Sequence, residues 1–208
     1  MKTLVGIPCL EMVHTQFMQS ILNLRYPENT EITIASGSLV YDARDTIAGK
    51  AVAEGFDQVV MLDSDMIFEP DSIMRLEEHL RNGLDFVSGI YFKRKKPAEP
   101  VIYNRMDLSQ NEIGYIPSID SYLDYPKDQL FEIEACGFGL VMMKTEVIKK
   151  VQDKFGLPFF PVAGFGEDIA FCYRMKALGI KRYCDSSIKA KHLAYYPVSE
   201  ETWLKGVF

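Results

Sequence analysis

The sequence predicts an α/β fold with a mostly parallel central sheet flanked by helices and a smaller irregular or antiparallel region beside it. Two patterns carry this expectation. Between Leu4 and Tyr91, short apolar runs alternate with segments of helical spacing in the order strand, helix, strand, helix, strand, helix, strand. Such alternation buries its apolar surface best as a parallel sheet with right-handed crossovers. The run Val59-Val60-Met61-Leu62 is apolar at every position, as expected of a strand covered on both faces.

Leu4-Val5-Gly6-Ile7-Pro8 reads as a buried first strand that ends at a proline. Val13, Phe17, Ile21 and Leu24 recur at helical spacing, and Tyr26-Pro27 stops the pattern. Residues 31–35 form a second strand, ended by Ser36-Gly37-Ser38, and a helix over 42–54 closes at Gly55. After the apolar strand, Pro70 and Asp71 open a helix with Ile73, Leu76 and Leu80 inward and Arg75, Glu77, Glu78 and Arg81 outward. Residues 85–91 are the next strand. From Lys93 to Asp128 the chain is polar and rich in turn residues, which predicts hairpins and loops. Strands over 132–136 and 140–143 follow, then helices over 145–154 and 167–178, and finally two short extended pieces over 182–185 and 188–192. With no repeat and no linker in view, residues 1–208 are expected to form one domain.

Composition excludes several classes. The 23 basic and 29 acidic residues leave a net charge of −6, so the surface as a whole should attract neither nucleic acid nor anionic membrane. No apolar run has the length of a membrane span, and the start is too short for a secretory signal, so a cytoplasmic protein without a membrane span is expected. Cys9, Cys136, Cys172 and Cys184 lack paired metal-ligand spacing and read as buried thiols.

The sharpest chemical feature is Asp63-Ser64-Asp65, directly after the buried strand and before the helix opened by Pro70. In an open parallel sheet, ligands bind beyond the carboxyl ends of strands, and two carboxylates there suit a hard divalent cation that would in turn hold a diphosphate. The plain alternative is a pair of solvated turn or capping residues. Gly164-Phe165-Gly166-Glu167-Asp168 opens the last helix, where acidic residues also interact favourably with the helix dipole.

The stretch from Ala43-Arg44-Asp45 through Asp63-Ser64-Asp65 to Pro70-Asp71 resembles the first half of the nucleotide-sugar-dependent glycosyltransferases of the GT-A fold. It is similar both to the inverting "family two" enzymes and to retaining mannosyltransferases of that fold. The resemblance implies a D-x-D site for Mn²⁺ or Mg²⁺ and a nucleoside-diphosphate sugar, UDP- or GDP-linked. Asp65 would hold the metal, and Asp63 the metal or the donor ribose. It further implies that Asp168, with Glu167 beside it, is the base of an inverting enzyme or, in a retaining one, only orients acceptor or donor, and that His192 completes the metal shell. Arg44 would support the diphosphate, Pro8 would contact the nucleotide, and the Gly137-Phe138-Gly139 segment would border the sugar. Residues 1–92 would then be the donor half and 93–208 the acceptor half, for a glycan, lipid or protein acceptor.

Each role has a simpler counterpart: Gly137 and Gly139 could permit a bulge, and Lys93-Arg94-Lys95-Lys96 could be a solvated run or a loop over the diphosphate. His14 and His79, on helices without an evident acidic partner, read as surface residues. Two departures touch base recognition: Ser36-Gly37-Ser38 lacks the usual acidic residue, and Cys9-Leu10-Glu11 lacks the small polar residue after Pro8. The alternatives are a nucleotide-sugar-binding module without turnover, or a sugar-phosphate nucleotidyltransferase. The latter is disfavoured because Gly6-Ile7-Pro8-Cys9 is no glycine-rich loop.

Overall fold

The strand-and-helix alternation is realised up to residue 90 except for one added short strand, Met66–Phe68, and the second half then inserts strands into the same sheet. A computed structural model describes residues 1–37, 39–112 and 114–194; Ser38 of the second strand's predicted end lies outside them. The first half comprises β1 (Thr3–Cys9), α1 (Thr15–Asn23), β2 (Thr30–Ser36), α2 (Val40–Ala53), β3 (Gln58–Leu62), β4 (Met66–Phe68), α3 (Ser72–Arg81) and β5 (Phe86–Ile90). The second half comprises β6 (Ile102–Asn111), β7 (Gly114–Ser121), β8 (Leu130–Ile133), β9 (Ala135–Cys136), β10 (Leu140–Lys144), α4 (Thr145–Phe155), α5 (Glu167–Ala177) and β11 (Arg182–His192).

The central sheet has the order β2-β1-β3-β10-β5-β11-β4, with β8 also on β11, and β7-β6-β9 form a small antiparallel sheet. Strands β1, β2, β3, β5 and β11 run the same way, so the sheet is mostly parallel, as expected. β10 runs antiparallel between β3 and β5, and β4 and β8 run antiparallel to β11. Every position of β1, β3 and β5 is buried, which accounts for their largely apolar character, with Thr3, Gln58 and Ser88 as the buried polar exceptions.

Side chains alternate between two cores. Leu4, Val59, Met61, Val141 and Met143 face α2, α4 and α5 through Ile47, Ile148 and Phe171. Val5, Ile7, Val60, Leu62 and Met142 face α1 and α3 through Phe17, Ile21, Ile73 and Leu76. Gly6 is required by this packing, because a Cβ there would stand 2.3 Å from Ile47 Cγ2 of α2.

Three local expectations change in the folded chain. Glu77, expected outward, is only 2% exposed, because its carboxylate accepts from the buried Gln58 Nε2 at 3.0 Å and from Arg81 Nη2 at 3.0 Å. A buried amide needs such an acceptor, and α3 supplies it from the sheet-facing side. His79 has an acidic partner after all: its Nε2 lies 2.8 Å from Asp185 Oδ2 of β11. The two extended pieces over 182–192 form one strand whose pairing with β5 shifts register between Cys184 and Lys189. All four cysteines are free and buried, and among the described residues no helix is long and apolar enough to cross a membrane.

Candidate active site

The site lies at the carboxyl edge of β1, β2 and β3, where the sheet leaves a cavity of about 380 Å³ lined in part by Pro8, Gly37, Arg44, Asp63, Asp65 and Glu167. Asp63 is the first residue after β3, and its N–H donates to Gly139 O at 3.2 Å, which ties the D-x-D turn to the start of β10. Arg44, on the first turns of α2, is 2% exposed. It donates from Nη2 to Asp63 Oδ1 at 2.7 Å and from Nε to Glu167 Oε1 at 3.3 Å, with its guanidinium carbon 5.7 Å from the centre of the Phe138 ring. A buried guanidinium bridging two carboxylates joins α2, β3 and α5 at one point.

Asp168 follows Glu167 in the first turn of α5. The Val162–Phe165 turn before it places Ala163 at φ 50° and Gly164 at φ 89°, and Phe165 N donates to Val162 O at 2.8 Å. Two successive left-handed residues reverse the chain sharply enough to deliver the helix N-terminus to the sheet edge. The Asp168 carboxyl accepts from Ile169 N at 2.7 Å. Burial, then the neighbouring Glu167 charge, push its pKa up to about 7 against the opposing pull of Arg44.

His192 reaches the D-x-D turn through strand pairing. In the β4–β11 ladder it stands opposite Met66, the residue after Asp65, and Leu193 N donates to Asp65 O at 2.8 Å. Its Nε2 lies 3.4 Å from Asp65 Oδ2, and its Nδ1 lies 2.9 Å from the Phe92 carbonyl. A carbonyl only accepts, so Nδ1 carries the proton and Nε2 faces the carboxylate, an arrangement that calls for a proton or a cation between them. Burial works against both charges, yet the mutual contact prevails: His192 is held above the ordinary imidazole range and Asp65 below the ordinary carboxylate range, Arg94 adding to the latter.

Gly137 is buried behind this site and does not line the cavity; nor do Asp168 and His192. Its role in the fold is to admit Tyr91: a Cβ on Gly137 would stand 2.1 Å from the Tyr91 hydroxyl oxygen and 2.7 Å from Val101 Cγ1. Tyr91 in turn accepts from Gly139 N at 3.2 Å and meets the His192 ring edge-on at 5.5 Å. Sequence reasoning missed Tyr91, whose only signal was its place at the end of a strand leading into the basic run. Gly137→Ala is expected to cost roughly 1–3 kcal/mol, the range for overpacking a filled interior, read as a lower urea midpoint at unchanged slope.

No protein-family model matches the chain, and no curated protein matches it. Among solved structures, it superposes on A197 from STIV with a TM-score of 0.66 at 21% identity, over 93% of this chain and 86% of that one. It superposes on GalNAc-T7, crystallised with UDP, GalNAc and Mn²⁺, with a TM-score of 0.61 at 12% identity, over 94% of this chain. The fold is GT-A. The chain spans 43% of the GalNAc-T7 chain. Within this GT-A fold, Asp63, Asp65, Arg44, Glu167 and Pro8 border one cavity, with Asp168 beside Glu167 and His192 against Asp65.

The donor set fits a hard divalent cation. Among the described residues no group of three or more His, Cys, Asp or Glu side chains is placed to hold a metal. Mg²⁺-like ions, however, are commonly bound by one or two protein ligands with the rest supplied by phosphate oxygens and water. Asp65 Oδ2 and His192 Nε2, with the histidine fixed from its far side by Phe92, form such a pair.

Proposed function

We propose that the chain is a glycosyltransferase that takes a sugar from a nucleoside-diphosphate sugar and passes it to an acceptor hydroxyl. The observation that carries this reading is the convergence of Asp63 of the D-x-D turn and Glu167 of the last helix, from opposite halves of the chain, on one buried arginine. The GalNAc-T7 structure, with its UDP, GalNAc and Mn²⁺, supports the choice of donor class.

In this reading the donor diphosphate lies in the Arg44–Asp63–Asp65 cavity. The nucleoside extends into the adjoining cavity of about 600 Å³ lined by Leu10, Glu11, Met12, Ser36 and Gly37. Asp65 and His192 would hold Mn²⁺ or Mg²⁺, and the chemistry that ion would supply is to offset charge on the departing diphosphate. Arg44 holds Asp63 and Glu167 in place and keeps the cluster from repelling itself. Asp168 takes the acceptor proton as the acceptor oxygen bonds to the anomeric carbon, and the bond to the diphosphate oxygen breaks with its electron pair leaving on the diphosphate. A group with a pKa near 7 is well matched to that task at neutral pH.

Isothermal calorimetry tests the donor site. Wild-type protein is expected to bind UDP or GDP in the presence of Mn²⁺ and only weakly without it, and Asp65→Ala is expected to lose the Mn²⁺-dependent part. Unchanged Mn²⁺-dependent binding by Asp65→Ala would sink the assignment. Release of nucleoside diphosphate from a donor sugar separates a working transferase from a binding module of the same fold.

A further inference from the structure

We propose that Arg94 is the resident counter-ion of Asp65, and that its displacement by the incoming cation couples cation binding to diphosphate binding. The inference rests on the donor-site reading above and assigns a specific residue to its regulation.

Arg94 Nη1 lies 2.8 Å from Asp65 Oδ2, the same oxygen that His192 Nε2 faces at 3.4 Å. The segment carrying Arg94 is pinned at its base. Lys93 N donates to Glu99 O at 2.8 Å, and Lys93 Nζ donates to Glu99 Oε2 at 2.8 Å and to Ser121 Oγ at 3.0 Å. Lys95 also faces Glu99, at 3.8 Å. The charges on either side of Arg94 are thus directed at Glu99, whereas Arg94 itself reaches into the D-x-D turn. Its side chain is 48% exposed, so the guanidinium can swing on its own stem without the segment opening.

A divalent cation on Asp65 Oδ2 and a guanidinium on the same oxygen repel each other, so one excludes the other. Expelled with no new partner, Arg94 loses its ion pair, and the cation alone binds weakly. When a diphosphate arrives with the cation, the planar fork of the guanidinium meets phosphate oxygens to which it can donate two bonds. The lost contact is then replaced, and the two ligands strengthen each other reciprocally. Arg94 so makes the site selective for the cation–diphosphate pair over the free cation.

The test is titration of Mn²⁺ into wild type, Arg94→Gln and Arg94→Lys, following free Mn²⁺ by electron paramagnetic resonance, with and without UDP or GDP. Arg94→Gln should bind Mn²⁺ alone more tightly by roughly two- to fivefold, the worth of a half-exposed ion pair. The enhancement of Mn²⁺ affinity by the nucleotide should shrink by at least that factor, and Arg94→Lys, which keeps the charge but not the fork, should match wild type for Mn²⁺ alone and lose part of the enhancement. Equal affinity of wild type and Arg94→Gln for Mn²⁺ alone, with nucleotide-dependent binding intact in both, overturns the role of Arg94. If no variant takes up Mn²⁺ even with nucleotide, the donor-site reading itself falls.

Discussion

Arg44→Met is expected to lower the stability of the protein by about 3–5 kcal/mol, the cost of removing one partner from a buried charge cluster. The side chain is 2% exposed and serves two carboxylates on different elements, Asp63 after β3 and Glu167 on α5. Methionine fills much of the volume against Phe138, but it leaves the part-buried Asp63, Glu167 and Asp168 carboxylates without their shared cation. Because Arg44 is also the group that holds the Asp168 pKa down, its loss pushes that pKa higher still. Urea denaturation reads the first effect as a fall in the midpoint. Combining Arg44→Met with Asp63→Asn and Glu167→Gln should recover a good part of it, since the uncompensated charges are then gone. A loss below about 1 kcal/mol, the size of a surface pair, would mean that the arginine does not organise the cluster.

Asp168→Asn is expected to reduce transfer by at least about 100-fold, the lower range for loss of a general base, while making the protein more stable at neutral pH. The two effects share one cause. Burial and the Glu167 charge raise the folded-state pKa of Asp168 to about 7, against roughly 3.9 for an unfolded aspartate. The folded state therefore holds this proton more tightly than the unfolded state does, and the group's contribution falls as pH rises from about 4 to about 7. Below that window both states are protonated and the variant should match wild type. Above it, the variant should be more stable by up to about 4 kcal/mol, an upper bound because the carboxyl is partly open to solvent. In wild type, kcat/KM should rise with pH and level off above an apparent pKa near 7. Thermal melts at pH 4, 6 and 8 decide the stability part; a variant no more stable at pH 8 than at pH 4, relative to wild type, would contradict the burial of an ionised carboxylate here.

These expectations rest on residues that were legible to different degrees. The strand at Val59–Leu62, the aspartates after it, and the acidic pair opening the last helix are local patterns. Their type and placement follow from unbroken apolarity, turn position and helix start, which need no knowledge of distant parts of the chain. Burial of every residue of β3 and the entry of Asp63, Asp65 and Glu167 into one cavity agree with that reading.

What the chain segments say of themselves ends at their own edges. Nothing in Leu140–Lys144 states that it runs antiparallel between β3 and β5, because an apolar run encodes burial and not its neighbours or direction. Met66–Phe68 is too short to announce a strand, yet its pairing with β11 sets His192 beside Asp65. Glu77 and His79 looked solvent-facing because helical spacing ranks positions by polarity, and it cannot see a buried Gln58 or Asp185 waiting opposite. The basic run likewise held four equivalent cations in sequence, and only the Lys93–Glu99 tie aims Arg94 at Asp65. The sequence alone determined the class of fold and the places along it, after β3 and at the start of α5, where its acidic pairs fall. Tertiary structure decided which of them meet, because ion pairs, strand neighbours and cavity walls are made between segments far apart in the chain.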